Sequence, residues 1–221
     1  MAKIVKSSNL FKILFVIISL LDILGLLIHV SLLELIAKPF IISSLMAIYL
    51  SSVKNNNYWF LAALFFSFLG DVFLLDNNDM FLFGIAAFLI TQLLYIKIII
   101  GYLNNSSKSQ KLQAILPFAI YFVLLIYLLI DNLGEYLIPV LVYGLTISVF
   151  GIVSLLNYII NKSQSSKLLL FGALLFIASD SMIAFDRFYE SKGIYSVLIM
   201  ITYILAQYLI CRYMISKSNT T

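Results

Sequence analysis

Residues 80–103 read MFLFGIAAFLITQLLYIKIIIGYL, and this stretch decides the fold class of the chain. A helix that spans a bilayer needs about 20 mostly apolar residues, and this stretch exceeds that length with Lys97 as its one charged residue. Over all 221 residues, 63% are hydrophobic and 11% are charged, whereas soluble domains carry roughly 25% charged residues. The composition therefore excludes a soluble enzyme, a nucleic-acid-binding module and a disordered chain.

Similar apolar stretches recur along the whole sequence and are too long and unbroken for the alternating pattern of a membrane β-barrel. Short polar segments such as 55–57 and 161–166 separate them and leave no room for a soluble domain. The sequence predicts one all-α domain over residues 1–221, a polytopic bundle of about eight transmembrane helices. We expect the three prolines near helix starts, with Pro39 opening the second helix. The predicted spans are Leu10–Val30, Pro39–Ser52, Tyr58–Leu75, Met80–Leu103, Leu112–Ile130, Tyr136–Ile160, Leu168–Phe185 and Ile194–Ile215.

Charges separate by side when the segments between the spans are assigned alternately to the two faces of the membrane. One side holds basic residues only. The other is mainly acidic, and includes Lys38, Arg187 and Lys192. The positive-inside rule then predicts that both termini are cytoplasmic, in the plasma membrane. Because no small-residue cleavage site follows Val30, we expect the first span to be retained rather than removed as a signal peptide. The basic side holds Lys3, Lys6, Lys12, Lys54, Lys97, Lys108, Lys111, Lys162, Lys167, Arg212 and Lys217; the acidic residues of the other side are Glu34, Asp76, Asp79, Asp131, Glu135, Asp186 and Glu190.

Three carboxylates remain inside predicted spans: Asp22, Asp71 and Asp180. An aspartate at a helix centre costs about 2.5 to 3.5 kcal/mol on insertion scales, so such residues usually serve a function. Counting back from Asp76 and Asp186 places Asp71 and Asp180 at a matched depth, roughly 7–9 Å below the outer boundary. If their helices face each other, the two can share a site. For Asp22, a supporting role and a bond to a neighbouring helix are both open.

Two neighbouring buried carboxyls suit acid–base chemistry, because one can hold a proton while the other stays ionised. With a single Cys211 and a single His29, a cysteine zinc cage and a multi-histidine metal site are excluded, so no metal or cofactor is expected. A proton-coupled transporter of a small amphiphile and a non-catalytic lipid-binding protein remain alternatives. Since a transporter more often has helices interrupted at mid-membrane, the predicted proline positions favour an enzyme.

Polar side chains within or beside the spans are the candidates for binding a substrate. Lys38, at an outer helix end, could hold a phosphate, although snorkelling to the interface is an equal explanation. For the others, hydrogen bonding between helices is the alternative role. These other candidates are Gln92, Tyr95, Tyr143, Ser181, Tyr203 and Gln207.

Several short motifs occur together in a specific order: Lys38-Pro39, FLGDVFL at 68–74, Gly84 with Phe88 and Tyr95, PVLVY at 139–143, GALLFIASDS at 172–181 and TYILAQ at 202–207. In these motifs the sequence resembles the lysoplasmalogenase family of YhhN-like membrane proteins, over nearly the whole chain. One departure is Gln92, which stands where many members are expected to carry histidine.

The resemblance implies hydrolysis of the vinyl ether bond of lysoplasmalogens, which gives a fatty aldehyde and glycerophosphoethanolamine or glycerophosphocholine. Asp71 and Asp180 would be the acid–base pair. The implied partners are the lysophospholipid substrate and membrane lipids. An enol ether is cleaved by protonation at carbon and capture of the resulting oxocarbenium ion by water, which needs an acid and a nearby anion and no metal.

Overall fold

The computed structural model describes residues 2–75 and 80–219, and for residues 2–8 it describes the backbone only. This part of the chain contains eight α-helices, two short 3-10 turns at Ile130–Asn132 and Gly134–Tyr136, and no β-strand. Seven of the helices are long and apolar enough to cross a membrane, and the remaining one, at Tyr58–Phe73, is a shorter apolar helix. The prediction of an all-α polytopic membrane bundle is thus confirmed. The helices are α1 Ala2–Leu27, α2 Ser31–Ser52, α3 Tyr58–Phe73, α4 Phe81–Gly101, α5 Lys108–Leu129, α6 Leu137–Asn161, α7 Gln164–Phe188 and α8 Gly193–Ser218.

Two of the three prolines lie inside helices, contrary to the sequence prediction. Helix α2 begins at Ser31, so Pro39 lies within it, and Pro117 lies within α5. Only Pro139 is in a first turn. A proline removes one backbone hydrogen bond, and helices in membranes tolerate it because nearby hydroxyls and neighbouring helices satisfy the freed groups. The argument from proline position against a transporter therefore fails.

Helix ends also differ from the predicted ones. Because α2 starts early, Glu34 and Lys38 are helical rather than in a loop, and α7 extends through Asp186 and Arg187 to Phe188. The predicted outer loop at 76–79 and the side chains of Lys3 and Lys6 lie outside the described residues. The orientation of the chain in the membrane stays a prediction.

The chain divides into two compact units, and the single-domain organisation stays a prediction. The first unit comprises residues 1–91 and 211–221, of which the structure describes 2–75, 80–91 and 211–219. Here α1 and α2 form a hairpin through a turn in which His29 has φ +56°. Tyr49 on α2 bonds Ser218 on α8 (3.1 Å) and packs edge-on against Phe60 on α3 (centroids 4.7 Å apart).

The second unit comprises residues 92–210, with α6 packed against both α5 and α7. Glycines permit this close packing. A Cβ atom on Gly151 would lie 2.3 Å from the Phe118 ring of α5, and one on Gly172 would lie 3.1 Å from the Ala206 carbonyl oxygen of α8. The helix backbones therefore approach closely, and their polar side chains come within bonding distance.

Candidate active site

Asp180 on α7 is the centre of a polar cluster in the second unit. Its Oδ2 accepts hydrogen bonds from Gln92 Nε2 on α4 (3.2 Å) and from the Tyr143 hydroxyl on α6. Its Oδ1 accepts none from the described residues, and the side chain is only partly buried. Donors from α4 and α6 thus hold one carboxylate oxygen of α7, and no described residue bonds the other.

Ser181 follows Asp180 and contacts a residue that the sequence analysis missed. The Tyr121 hydroxyl on α5 lies 2.8 Å from Ser181 Oγ, and Ser181 Oγ donates to the Ile177 carbonyl of its own helix, α7 (2.6 Å). Since Ser181 uses its proton there, Tyr121 is the donor between the two. Tyrosine is one of the commonest polar residues of this chain, so no sequence signal separated Tyr121 from the others.

Tyr95, Gln207 and Tyr203 form a second, fully buried group in the same unit. The Tyr95 hydroxyl donates to Gln207 Oε1 (2.7 Å), and Gln207 Nε2 donates to the Tyr203 hydroxyl (3.4 Å). Phe150 packs against Tyr95 (5.7 Å between centroids), and Phe176 packs against Tyr203 (5.7 Å). The bond between Tyr95 and Gln207 joins α4 to α8, which is the interhelical hydrogen bonding named above as the alternative role. A role of the three residues in substrate binding stays a prediction.

Asp71 lies on α3 in the first unit and is 5% exposed. The preceding Gly70 faces Phe88 of α4, which a Cβ atom would approach to 2.6 Å. One turn earlier, Ser67 donates to Thr91 of α4 (3.3 Å), whose hydroxyl is within 3.2 Å of the Ala63 carbonyl. Small and hydroxylated side chains therefore hold α3 against α4 around the carboxylate.

Asp71 belongs to the first unit and Asp180 to the second, and their pairing stays a prediction. The predicted equal depth relied on counting residues from Asp71 to Asp76 and from Asp180 to Asp186. In the structure α3 ends at Phe73, just after Asp71, whereas α7 continues for about two turns past Asp180 to Phe188. Asp186, one of the two reference residues, therefore lies inside a helix, and the equal depth of the two carboxylates stays a prediction.

Asp22 on α1 is completely buried, and neither carboxylate oxygen has a hydrogen-bond partner among the described residues. The Ser19 hydroxyl, one turn away, is also buried without one. Lys38 and Glu34 on α2 act electrostatically on Asp22, the first attractively and the second repulsively. Asp22 therefore shows no bond to a neighbouring helix in this part of the chain. Lys38 is half-buried, about two turns into α2, and not at the helix end where it was predicted.

A family model, that of the YhhN family, matches residues 33–214. The chain belongs to the YhhN family. Neither the search of curated proteins nor the search of solved structures returned a match. The YhhN family includes lysoplasmalogenases and is associated with hydrolase activity. The family assignment made from the sequence motifs is thereby confirmed.

The match places Asp71, Asp180 and Lys38 of this YhhN chain within the family region, while Asp22 precedes it. In the part of the chain that the structure describes, no three His, Cys, Asp or Glu side chains converge to hold a metal ion. The groups available for chemistry around Asp180 are a carboxylate with one open oxygen, an amide and three hydroxyls. These can transfer a proton, stabilise a cation and orient a polar substrate.

Proposed function

We propose that this YhhN chain hydrolyses the vinyl ether bond of lysoplasmalogens, releasing a fatty aldehyde and glycerophosphoethanolamine or glycerophosphocholine. The observation that carries the proposal is the carboxylate of Asp180, held at Oδ2 by Gln92 and Tyr143 and open at Oδ1. Membership of the YhhN family supports a lysoplasmalogenase-like role, but it does not specify the substrate or the mechanism.

The reaction adds one water molecule across the enol ether. A carboxylic acid transfers a proton to the alkene carbon that does not bear oxygen, and the electron pair of the double bond forms the new C–H bond. The remaining oxocarbenium ion is attacked by water, which loses a proton to a base, and the hemiacetal collapses to aldehyde and glycerol hydroxyl. In our proposal Asp71 and Asp180 are the acid and the base, as carboxylates are in glycosidases.

Gln92 and Tyr143 act in this scheme by orienting Asp180. Two donors to Oδ2 hold the carboxylate in one rotamer, so that Oδ1 faces the reacting atoms. Lys38 is the candidate to bind the phosphate of the head group. Ser181 and the buried trio of Tyr95, Tyr203 and Gln207 complete the proposed substrate-binding set.

The test is aldehyde release by the purified protein, reconstituted in lipid, from a lysoplasmalogen. We expect Asp71→Asn and Asp180→Asn each to remove nearly all activity and the double variant to lose little more, because groups that act as a unit are non-additive. Asp131→Asn, in the exposed 3-10 turn after α5, is the matched control and retains activity. Multiplicative losses would show that the two aspartates act independently.

A proton-coupled transporter is the second candidate, since Pro39 and Pro117 lie inside α2 and α5 and their positions no longer argue against the interrupted helices that transporters use. A saturated ether lysolipid with the same chain and head group separates the two functions. The hydrolase binds it, is competitively inhibited and releases no product from it. Gradient-driven passage of the saturated lipid into proteoliposomes, with no aldehyde from the vinyl ether, would establish the transporter instead.

A further inference from the structure

A groove of about 420 Å³ lies between α5 and α7 in the second unit. Its apolar wall includes Ile120, Leu124 and Leu128 from α5 and Phe185 from α7, and its polar atoms come from Tyr121 and Ser181. The volume lies within the roughly 300–1,000 Å³ of typical small-molecule sites.

The packing of the three helices explains why a groove forms here. Helices α5 and α7 both pack on α6 but make few contacts with each other. Leu125, Leu129 and Val140 close the α5–α6 side with a buried cluster, against which Phe185 of α7 also packs. The outer sides of α5 and α7 are left separated, so the groove opens away from α6.

Ile120, Leu124 and Leu128 follow one another at intervals of four residues and therefore form one ridge along α5. All three are exposed. Because α5 is one of the candidate membrane spans, the medium at this surface is lipid hydrocarbon. An apolar groove open to that medium accommodates an aliphatic chain without loss of any polar contact.

We propose that this groove binds the hydrocarbon chain of the lysolipid substrate, an inference that rests on the proposed function. From Pro117 to Leu128 the wall runs for about 16 Å at 1.5 Å per residue. That length is about half of the roughly 30 Å hydrocarbon core, the depth that one lipid chain occupies.

The position of the polar atoms links the groove to the proposed chemistry. Tyr121 and Ser181 bond each other at 2.8 Å, and Ser181 is the residue after Asp180. A chain lying in the groove passes these two hydroxyls. Asp180 does not itself line the groove, but its charge acts on the Tyr121 hydroxyl, so the groove and the proposed acid–base site have Tyr121 as a common neighbour. A single-chain lipid fits one groove of this length, whereas the second chain of a diacyl lipid would remain outside.

The first test is a competition between chain lengths. Octenyl and hexadecenyl vinyl ether lysolipids compete in one reaction mixture, and the ratio of the two aldehydes released is measured. This ratio does not depend on the amount of folded protein. We expect Leu124→Trp, which fills the groove from a position 54% exposed, to lower the long-to-short ratio about tenfold, or about 1.4 kcal/mol. Val123→Trp, on the adjacent position that does not line the groove and is 64% exposed, is the control and leaves the ratio within about twofold. Equal ratios for the two tryptophan variants would overturn the proposal.

The second test measures binding without turnover. A saturated ether lysolipid with a diazirine in its chain is photolysed with the wild-type protein in phosphatidylcholine nanodiscs, and labelled peptides are mapped. We expect label on residues 120–128, displaced by unlabelled saturated lysolipid and not by further phosphatidylcholine.

The two tests distinguish failure of the groove from failure of the function. Label on residues 120–128 with no aldehyde from any vinyl ether would support the groove and reject the hydrolase. Aldehyde release with label elsewhere in the chain would reject the groove and leave the hydrolase standing. Label that phosphatidylcholine displaces equally would show a general lipid contact and reject the lysolipid assignment.

Discussion

Tyr143→Phe is the most informative single substitution at the Asp180 cluster. It removes one oxygen atom and keeps the aromatic ring. In the structure the Tyr143 hydroxyl donates to Asp180 Oδ2, and Gln92 Nε2 is the second donor to the same oxygen. In the variant, Asp180 Oδ2 therefore keeps the hydrogen bond from Gln92 and loses the one from Tyr143.

The expected loss follows from the kind of bond removed. A hydrogen bond to a charged group contributes about 1.5–3 kcal/mol, and each 1.36 kcal/mol of transition-state stabilisation changes the rate about tenfold. If Asp180 bears a charge or passes a proton in the rate-limiting step, kcat/KM should fall by about 10- to 150-fold. The loss should stay smaller than that of Asp180→Asn, since Gln92 still orients the carboxylate.

The assay is aldehyde release under first-order conditions, with thermal unfolding of the same preparation measured in detergent. Tyr127→Phe removes the same atom from an exposed position on α5, where Tyr127 is 75% exposed, and serves as the matched control. It should keep both kcat/KM and the unfolding temperature. Tyr143→Phe should lower kcat/KM well beyond any change in the folded fraction.

The result that refutes this reasoning is a Tyr143→Phe variant with wild-type kcat/KM. The bond to Asp180 would then serve packing of α6 against α7 only. A loss of activity matched by an equal loss of folded protein would lead to the same conclusion. Either outcome would move the proposed chemistry away from the Oδ1 atom of Asp180.

Four further predictions test packing, burial and orientation. In a denaturation assay, Gly151→Ala should lower the free energy of unfolding by about 1–3 kcal/mol, because its Cβ would lie 2.3 Å from the Phe118 ring. Gly101→Ala is the control and should not lower the free energy of unfolding, because no heavy atom lies within 4 Å of the new Cβ. Asp22→Leu should raise the free energy of unfolding by about 1–3 kcal/mol, since it removes a buried carboxylate to which no described residue offers a hydrogen bond, and a loss of stability would contradict this interpretation. Gln92→His should retain aldehyde release if an imidazole N–H can replace the amide donor to Asp180, whereas Gln92→Leu should reduce it. A C-terminal tag should be labelled only in permeabilised cells, and labelling of intact cells would contradict the predicted orientation.

The sequence by itself determined the fold class and most helix positions. In a bilayer every backbone polar group must be satisfied internally, so an apolar run of sufficient length can only be a helix, and each run is recognised without knowledge of its neighbours. The same reasoning singled out Asp22, Asp71 and Asp180, because a carboxylate in such a run stands out from its surroundings. The sequence failed locally at Pro39, where helix α2 continues through a proline that was expected to begin it.

The tertiary structure alone decided which side chains meet. Gln92, Tyr143 and Asp180 come from three helices, and Tyr121 reaches Ser181 from a fourth. In a soluble helix the apolar stripe identifies the buried face, but lipid is as apolar as leucine, so hydrophobic periodicity does not distinguish inward from outward faces. What orients these helices is the close fit at residues such as Gly151 and the few polar bonds between them, which depend on partners distant in sequence. The Asp180 cluster and the groove beside α5 are consequences of that packing.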